Sequence, residues 1–562
     1  MKWIPDSLAN VFLGIAMGAT RRGPLQRFLQ ATKRPAATQR NVLREILRAN
    51  AESAFGRAHS FADIANYDAY RAAVPVADYE SLRPYIEERK NDSSPSLTTE
   101  APVFYARTSG TTGDPKFVPL TKSGMRRARV TQRLFAETQY SGSGMYRGKV
   151  LAIASPAVEG QMADGNPFGS ATGMIYQSMP RLVRGKYVIP PEIFGIADYD
   201  VKYYTIAALA LREDDITGLA ASNPSTLVRL LAVMNRHLGT LLVDIADGSL
   251  SVAEHLTAAQ RKAFARRFVR NPSRARRLEY LRLQNGCISF ADAWPNLQGV
   301  VTWTGGSCGV VLPALREALP EAARIFEAGY AASEMRGTIN IDVERNLCVP
   351  TLLDNFFEFV ERAGWERGFK HFLTLDQLTE GGEYYVFVTT REGLYRYDMN
   401  DIVRVTGYFN ETPVLDFVQK GRGVTSITGE KLHEDQISQA IAEARSRGMV
   451  NTSFFVALAD EARAEYRLYL ESDGPPGLGA AELAADLDRR LAELNIEYAE
   501  KRASGRLGAL RAAYLAPGTG DAYMRDLLAA GQRDAQLKVL PLQYLRDCSF
   551  DFDSQCMAAA EA

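Results

Sequence analysis

Between Thr108 and Lys116 the chain reads Thr-Ser-Gly-Thr-Thr-Gly-Asp-Pro-Lys, a run suited to holding phosphate. Gly110 and Gly113 let backbone N–H groups approach an anion, the hydroxyls of Thr108, Ser109, Thr111 and Thr112 add donors, and Lys116 adds a point charge. A Walker A loop differs in that its Gly-Lys pair leads into a Ser or Thr that meets the metal. Here Pro115 precedes the lysine and Phe117 follows it, so the spacing that grips β- and γ-phosphates is missing. Composition alone also permits an ordinary polar turn, since Ser, Thr and Gly cluster in loops.

Two more stretches carry residue types fit for nucleotide chemistry. Tyr330 offers a flat face to an adenine and Ser333 a hydroxyl to a phosphate. Glu334 is a hard oxygen ligand of the kind Mg²⁺ takes, in ones or twos, beside phosphates. A Ser-Glu pair by itself is usually a turn or helix cap. Asp401, in Tyr397-Asp398-Met399-Asn400-Asp401, can accept from both ribose hydroxyls, as acidic residues do at other nucleotide sites. The plainer alternative pairs Asp398 and Asp401 with Arg396 and Arg404 on a sheet surface.

Other chemistries lack support. The five cysteines are odd in number, scattered and never spaced C-x-x-C, which fits a reducing, cytoplasmic setting without a zinc knuckle. The five histidines form no pair at metal-ligand spacing, so a His-dependent hydrolase has no local basis. Lys plus Arg and Asp plus Glu both number 66, and no global basic excess draws the chain to nucleic acid or anionic lipid. The basic run from Arg261 to Arg282 sits at helical spacing and reads as a solvated helix face.

The elements that must position these residues follow from periodicity. With 562 residues, 46% of them hydrophobic, two or three domains are expected. Leu8 to Ala19 is apolar, but Asp6, Arg21-Arg22 and its length argue for an amphipathic helix rather than a signal peptide or a membrane span. Gln39 to Asn50 reads as a helix and Val74 to Tyr85 as a short strand and connector. The phosphate loop is expected between a strand, Val103 to Ala106, and a helix opened by Ser123. Strands at Lys149–Ser155, Ile216–Ala220, Val300–Thr304 and Ala323–Phe326 alternate with helices, which predicts an α/β domain with a mostly parallel sheet. Gly305-Gly306 and the Tyr330 segment then hang from the carboxyl ends of two strands, where open sheets collect ligands, as walls of one nucleotide pocket. Glu383 to Thr390 and Leu394 to Thr406 are β-rich. From about Thr428 short strands, helices and a final helix form a small α+β unit, with a boundary at Thr428-Gly429 and domains of 1–427 and 428–562.

The phosphate run resembles that of adenylate-forming enzymes, and more closely that of the GH3 acyl acid amido synthetases. Glu327 to Glu334, Gly393 to Val403 and Gly429-Glu430-Lys431-Leu432 carry the rest of the likeness in the family's order, from about Gln39 to Gln543. The resemblance implies a large N-terminal domain and a small mobile C-terminal one. It implies ATP and Mg²⁺ as cofactors, with Thr108 to Thr112, Gly305, Gly306, Tyr330, Ser333, Asp401, Phe417 and Arg422 binding nucleotide and Glu334 the metal. Lys116 and Lys538 are the implied catalytic lysines. It further implies a carboxylic acid and an amine, typically an amino acid, as substrates, with an acyl-CoA ligase or a silent scaffold as alternatives. The chain departs from the family at Asn400, where Gly is usual, at Gly423-Val424, and after Lys538, where Pro-Arg is missing. Asn tolerates a left-handed backbone, so the turn before Asp401 is expected to survive. The acids, the amine and the oligomeric state are not readable from these residues.

Overall fold

The computed structural model describes residues 6–92, 95–108, 116–177, 179, 181–305, 308, 312–421, 424–472, 477–520, 522, 523, 526 and 541–557. The chain divides into two compact units. One comprises Met1–Thr108 and Phe117–Gln419, the other Ser109–Lys116 and Lys420–Ala562.

In the larger unit, β1 (Pro102–Thr108) and β2 (Lys116–Thr121) are neighbours in a four-stranded sheet completed by Pro167–Gly169 and Gly160–Gln161. The phosphate loop therefore joins two strands. The expected helix, Lys122–Gly142, begins only after β2, because Lys116–Thr121 pairs as a strand with β1, burying Val118 and Pro119, before Thr121 caps the helix through Gly124 N–H. A second difference lies upstream. Of the stretch expected as strand and connector, residues 74–78 hold only a single bridge at Ala77, and the connector is a helix, Tyr79–Asp92, started by the Asp78 carboxylate accepting from Ser81 N–H.

A parallel sheet in the order β3 (Lys149–Ile153), β4 (Ile216–Ala221), β5 (Gly299–Thr302), β6 (Arg324–Glu327) forms the middle of the unit, as the alternation predicts. Leu151, Leu219 and Val300 are fully buried in it, packed against helices Tyr199–Arg212 and Pro224–Arg236. Truncating such a residue to alanine costs about 2–5 kcal/mol. Asp198 caps the first of these helices through Val201 N–H, and Pro224 opens the second. The basic run is not one solvated face. It breaks into Ala258–Phe264 and Pro272–Asn285, and Arg274 turns inward to donate to the carbonyls of Leu211, Glu213 and Ala293.

An antiparallel sheet follows: β7 (Phe356–Glu361), β8 (Glu383–Thr389), β9 (Tyr397–Phe409) and β10 (Thr412–Lys420), with Leu373–Thr374 beside β7. Between β8 and β9 the register jumps. Tyr385 faces Ile402 and Phe387 faces Asp398, so residues 399–401 bulge opposite Val386. Such bulges re-aim a side chain without ending the strand.

The smaller unit is α+β, as expected. Its sheet runs β13 (Arg511–Leu515), β12 (Glu465–Ser472), β11 (Thr452–Asp460), β14 (Leu542–Tyr544), covered by helices Glu434–Ser446, Ala480–Leu494 and Ile496–Ala503. The final helix expected after the strand at Leu507 to Leu515 falls mostly outside the described residues, of which 519, 520, 522, 523 and 526 are helical; the described residues 541–557 hold the strand β14 and two short helical turns. Among the described residues no single helix is long and apolar enough to cross a membrane.

Candidate functional site

The bulge in β9 decides where Asp401 points. Asn400 adopts a left-handed backbone (φ 49°) and donates its N–H to Asp398 Oδ1 at 2.8 Å, so the turn survives the absent glycine in the way its side chain permits. Asp401 is thereby directed inward, only 1% exposed, and the Tyr330 hydroxyl donates to its Oδ2 at 2.5 Å. Burial pushes the Tyr330 phenol well above its ordinary pKa, and the carboxylates of Asp401, Glu334 and Asp398 push it further. The phenol therefore keeps its proton and remains a donor. Acidic residues from two separate stretches, Glu334 beside Tyr330 and Asp398 and Asp401 in β9, thus act on one tyrosine.

The Tyr330 ring stacks on Phe417, with centroids 5.8 Å apart and planes 19° apart, and packs tightly on Gly337. Phe417 is the more exposed of the two rings. Gly305 comes within reach of the same strand: a Cβ placed there would stand 2.6 Å from the Phe417 carbonyl oxygen, so only glycine allows the turn after β5 to meet β10 this closely. Gly305, Tyr330, Asp401 and Phe417 form one constellation in the larger unit, with Glu334 near enough to Tyr330 to act on its charge.

The arginines beside Asp401 have other partners. Arg396, itself left-handed (φ 45°), pairs with the fully buried Glu358 at 2.9 Å, which also accepts from the Tyr67 hydroxyl. Arg404 pairs with Glu383. The surface pairing of Asp398 and Asp401 with these arginines is therefore not the arrangement adopted.

Lys116 opens β2, and together with Lys431 and Lys420 it acts on His433. Burial first, and then these three lysines, push the His433 pKa down to about 3. The end of helix Lys122–Gly142 that follows β2 is already occupied. The Glu392 carboxylate accepts from Thr121 N–H at 2.8 Å and pairs with Arg127, while Glu100 accepts from Ser123 N–H at 2.9 Å. Helix N-termini attract anions, and this one is satisfied by protein carboxylates, in keeping with the missing Walker spacing.

Models of GH3 domains match the chain along its length. The N-terminal domain of that family matches residues 24–323, more than half of the 562, the central domain 349–420 and the C-terminal domain 435–544. The chain belongs to the GH3 family. This GH3 protein is 27% identical to an indole-3-acetic acid-amido synthetase of Oryza sativa subsp. indica, over 93% of this chain and 91% of the relative. It is 24% identical to a 4-substituted benzoates-glutamate ligase of Arabidopsis thaliana, over 89% and 91%. Its fold is that of the AtGH3.15 acyl acid amido synthetase solved with 2,4-DB (TM-score 0.66, 22% identity, 95% and 96% coverage). It also follows a 2-hydroxyisobutyryl-CoA ligase solved with 2-HIB-AMP and CoA (TM-score 0.51, 14% identity, 86% and 88% coverage). The protein is a GH3 ligase whose larger α/β unit and smaller α+β unit follow the fold of those solved structures.

Ser109, Gly110, Thr111, Thr112, Gly306, Arg422 and Lys538 lie outside the described residues, and Thr108 is described only as the last residue of β1. Ser333 follows Tyr330 in the turn between β6 and Thr338–Asp342. Sequence reasoning missed Glu327, Thr304 and Trp303, which tie the two turns together. An acid as the last residue of a parallel strand was the available signal, since ligand sites gather at those ends.

Proposed function

We propose that this GH3 ligase activates a carboxylic acid with ATP and passes the acyl group to an amine, by preference that of an amino acid. The observation that carries the reading is the Asp401–Tyr330–Phe417–Gly305 constellation, set by a bulge and a glycine where a parallel sheet ends. Asp401 accepts from the ribose while Tyr330 holds its other oxygen. Phe417 offers the adenine its more open face, and Ser333, Gly306 and Arg422 add contacts to ribose and phosphate. Thr108 to Thr112 and Lys116 receive the triphosphate.

A substrate carboxylate oxygen attacks the α-phosphorus, the α–β anhydride bond breaks and pyrophosphate leaves. The amine nitrogen then attacks the acyl carbon, the bond to AMP breaks, and the nitrogen releases a proton. Lys116 and Lys538 neutralise charge that grows at the phosphates, and the fold aligns the carboxylate. Mg²⁺, bound through Glu334, would supply further charge neutralisation at the phosphates. No cluster of three or more metal-ligating side chains occurs among the described residues. One carboxylate plus substrate oxygens is the ligand set Mg²⁺ usually takes, so Glu334 fits it.

The names of the relatives direct the first trials to indole-3-acetate and 4-substituted benzoates as acids and to glutamate among the amines. Carboxylate-dependent exchange of labelled pyrophosphate into ATP should appear before any acceptor is added, and an amino acid should then yield amide and AMP. ADP and phosphate as products would overturn adenylation. Dominant thioester with CoA would move the protein to the acyl-CoA ligases, and no exchange across a broad acid library would leave a silent scaffold.

A further inference from the structure

Beyond the ends of β5 and β6 the backbone ladder stops after Ala328 N–H bonds to Thr302, and the two chains continue as separate turns. One carries Gly305 against Phe417, the other carries Tyr330 against Asp401. Glu327, the last residue of β6, bridges them with both of its oxygens. Oε2 accepts from Thr304 N–H at 2.7 Å and from the Thr304 hydroxyl, and Oε1 accepts from Gly329 N–H at 2.8 Å. Trp303 crosses in the opposite sense, its indole N–H donating to the Gly329 carbonyl at 3.1 Å.

The backbone of Glu327 is itself held from behind. Glu327 N–H donates to Asn346 Oδ1 at 2.9 Å, its carbonyl accepts from Asn340 Nδ2 at 3.0 Å, and Asn340 also reaches Asn346 Oδ1. Asn346 stands in a left-handed turn (φ 54°). Three donors converge on one side chain whose own backbone is fixed, and Glu327 is the carboxylate that links Thr304 to Gly329.

We infer that Glu327 is a positioning residue for the nucleotide: it sets the separation of the two turns and so pre-organises the Gly305–Phe417 and Tyr330–Asp401 contacts. The inference rests on the adenylation reading above. A carboxylate is required because every partner is a donor. In Glu327→Gln one oxygen becomes an NH₂ group facing an N–H, and in Glu327→Asp the reach falls by one methylene. Pre-organised sites lose affinity when their supporting hydrogen bonds are left to chance.

The test is calorimetric titration of the full chain with ATP and Mg²⁺, together with KM values for ATP and for carboxylate in pyrophosphate exchange. Glu327→Gln should weaken ATP binding roughly tenfold or more, as expected when hydrogen bonds to a charged group are lost. It should raise KM for ATP while leaving KM for the carboxylate unchanged. Asp244→Asn is the control, because Asp244 binds Tyr204, Ser249 and Ser251 in a buried network of the same unit away from both turns. It should lower thermal stability and keep ATP affinity. Equal loss of affinity in both variants, or ATP affinity unchanged in Glu327→Gln, overturns the inference. If Glu327→Gln does not fold, Thr304→Val decides, since it removes only the hydroxyl donor: a several-fold loss of affinity supports the clamp and wild-type affinity overturns it. A wild type that binds no ATP overturns the adenylation reading together with the clamp, whereas a wild type that binds ATP no better than Glu327→Gln overturns the clamp alone.

Discussion

At the scale of single residues, the pairing of Tyr330 with Asp401 joins stability to binding. The phenol satisfies one oxygen of a carboxylate that is 1% exposed. Tyr330→Phe removes that donor and leaves the carboxylate poorly satisfied, at a cost of about 1–3 kcal/mol. A lowered melting temperature together with weaker ATP binding is the expected outcome, and an unchanged melting temperature would mean the hydrogen bond contributes nothing. His433 gives a pH-dependent counterpart. Burial and the lysines 116, 431 and 420 lower its pKa from 6.5 to about 3, so the folded chain holds it neutral while the unfolded chain binds a proton. Its stabilising effect is complete above pH 6.5 and is lost as pH falls from there towards 3. Between pH 7 and pH 5 the loss is about 2 kcal/mol. Urea unfolding at those two values should show it in the wild type, and His433→Gln should show much less.

At the scale of elements, what the sequence made legible was periodic or chemically marked. The strands and helices of the parallel sheet alternate plainly, and the proline and aspartate that open its helices are local signals. Asn400 could be read as a left-handed residue because only a few side chains tolerate that backbone. What stayed hidden depends on tertiary pairing. β2 is six residues long and looks like the lead-in to a helix until β1 lies beside it. The bulge at 399–401 exists only in the register of β9 against β8, and the Arg396–Glu358 pair joins residues 38 positions apart. Gly305 belongs to this class, since its need for glycine comes from Phe417, more than a hundred residues away. Gly305→Ala brings a methyl to 2.6 Å from a backbone oxygen that cannot step aside as a side chain would. It should cost about 1–3 kcal/mol and weaken ATP binding, measured by thermal melting and calorimetry. Full retention of both would remove the close approach from the argument.

At the scale of the whole molecule, the proposed adenylation and acyl-transfer steps fall to a chain of two units. The boundary expected at Thr428-Gly429 lies in a firmly tied turn. Gly429 is left-handed (φ 103°), and the buried Glu430 carboxylate accepts from the N–H groups of Ile427 and Thr428, at 2.7 Å each, and from the Tyr466 hydroxyl. On the proposed mechanism the smaller unit delivers Lys538 for adenylation. Lys538→Ala should then slow acyl-adenylate formation far more than reaction of a supplied acyl-adenylate with amine, and equal slowing of both in rapid-quench measurements would contradict that division.

The carboxylates at the start of helix Lys122–Gly142 bear on how freely this scaffold can be redesigned. An attempt to convert it to ADP-forming chemistry would naturally begin by rewriting residues 108–116 into a Walker sequence. The rewritten loop would still lead into β2, and the helix beyond would offer an incoming phosphate two acidic side chains, Glu392 and Glu100, already bonded to the first N–H groups. Grafting the loop alone should therefore fail. Success would require deleting β2 and both acids together, a change reaching from Glu100 and β2 beside the loop to the distant Glu392, which no substitution within the loop can supply.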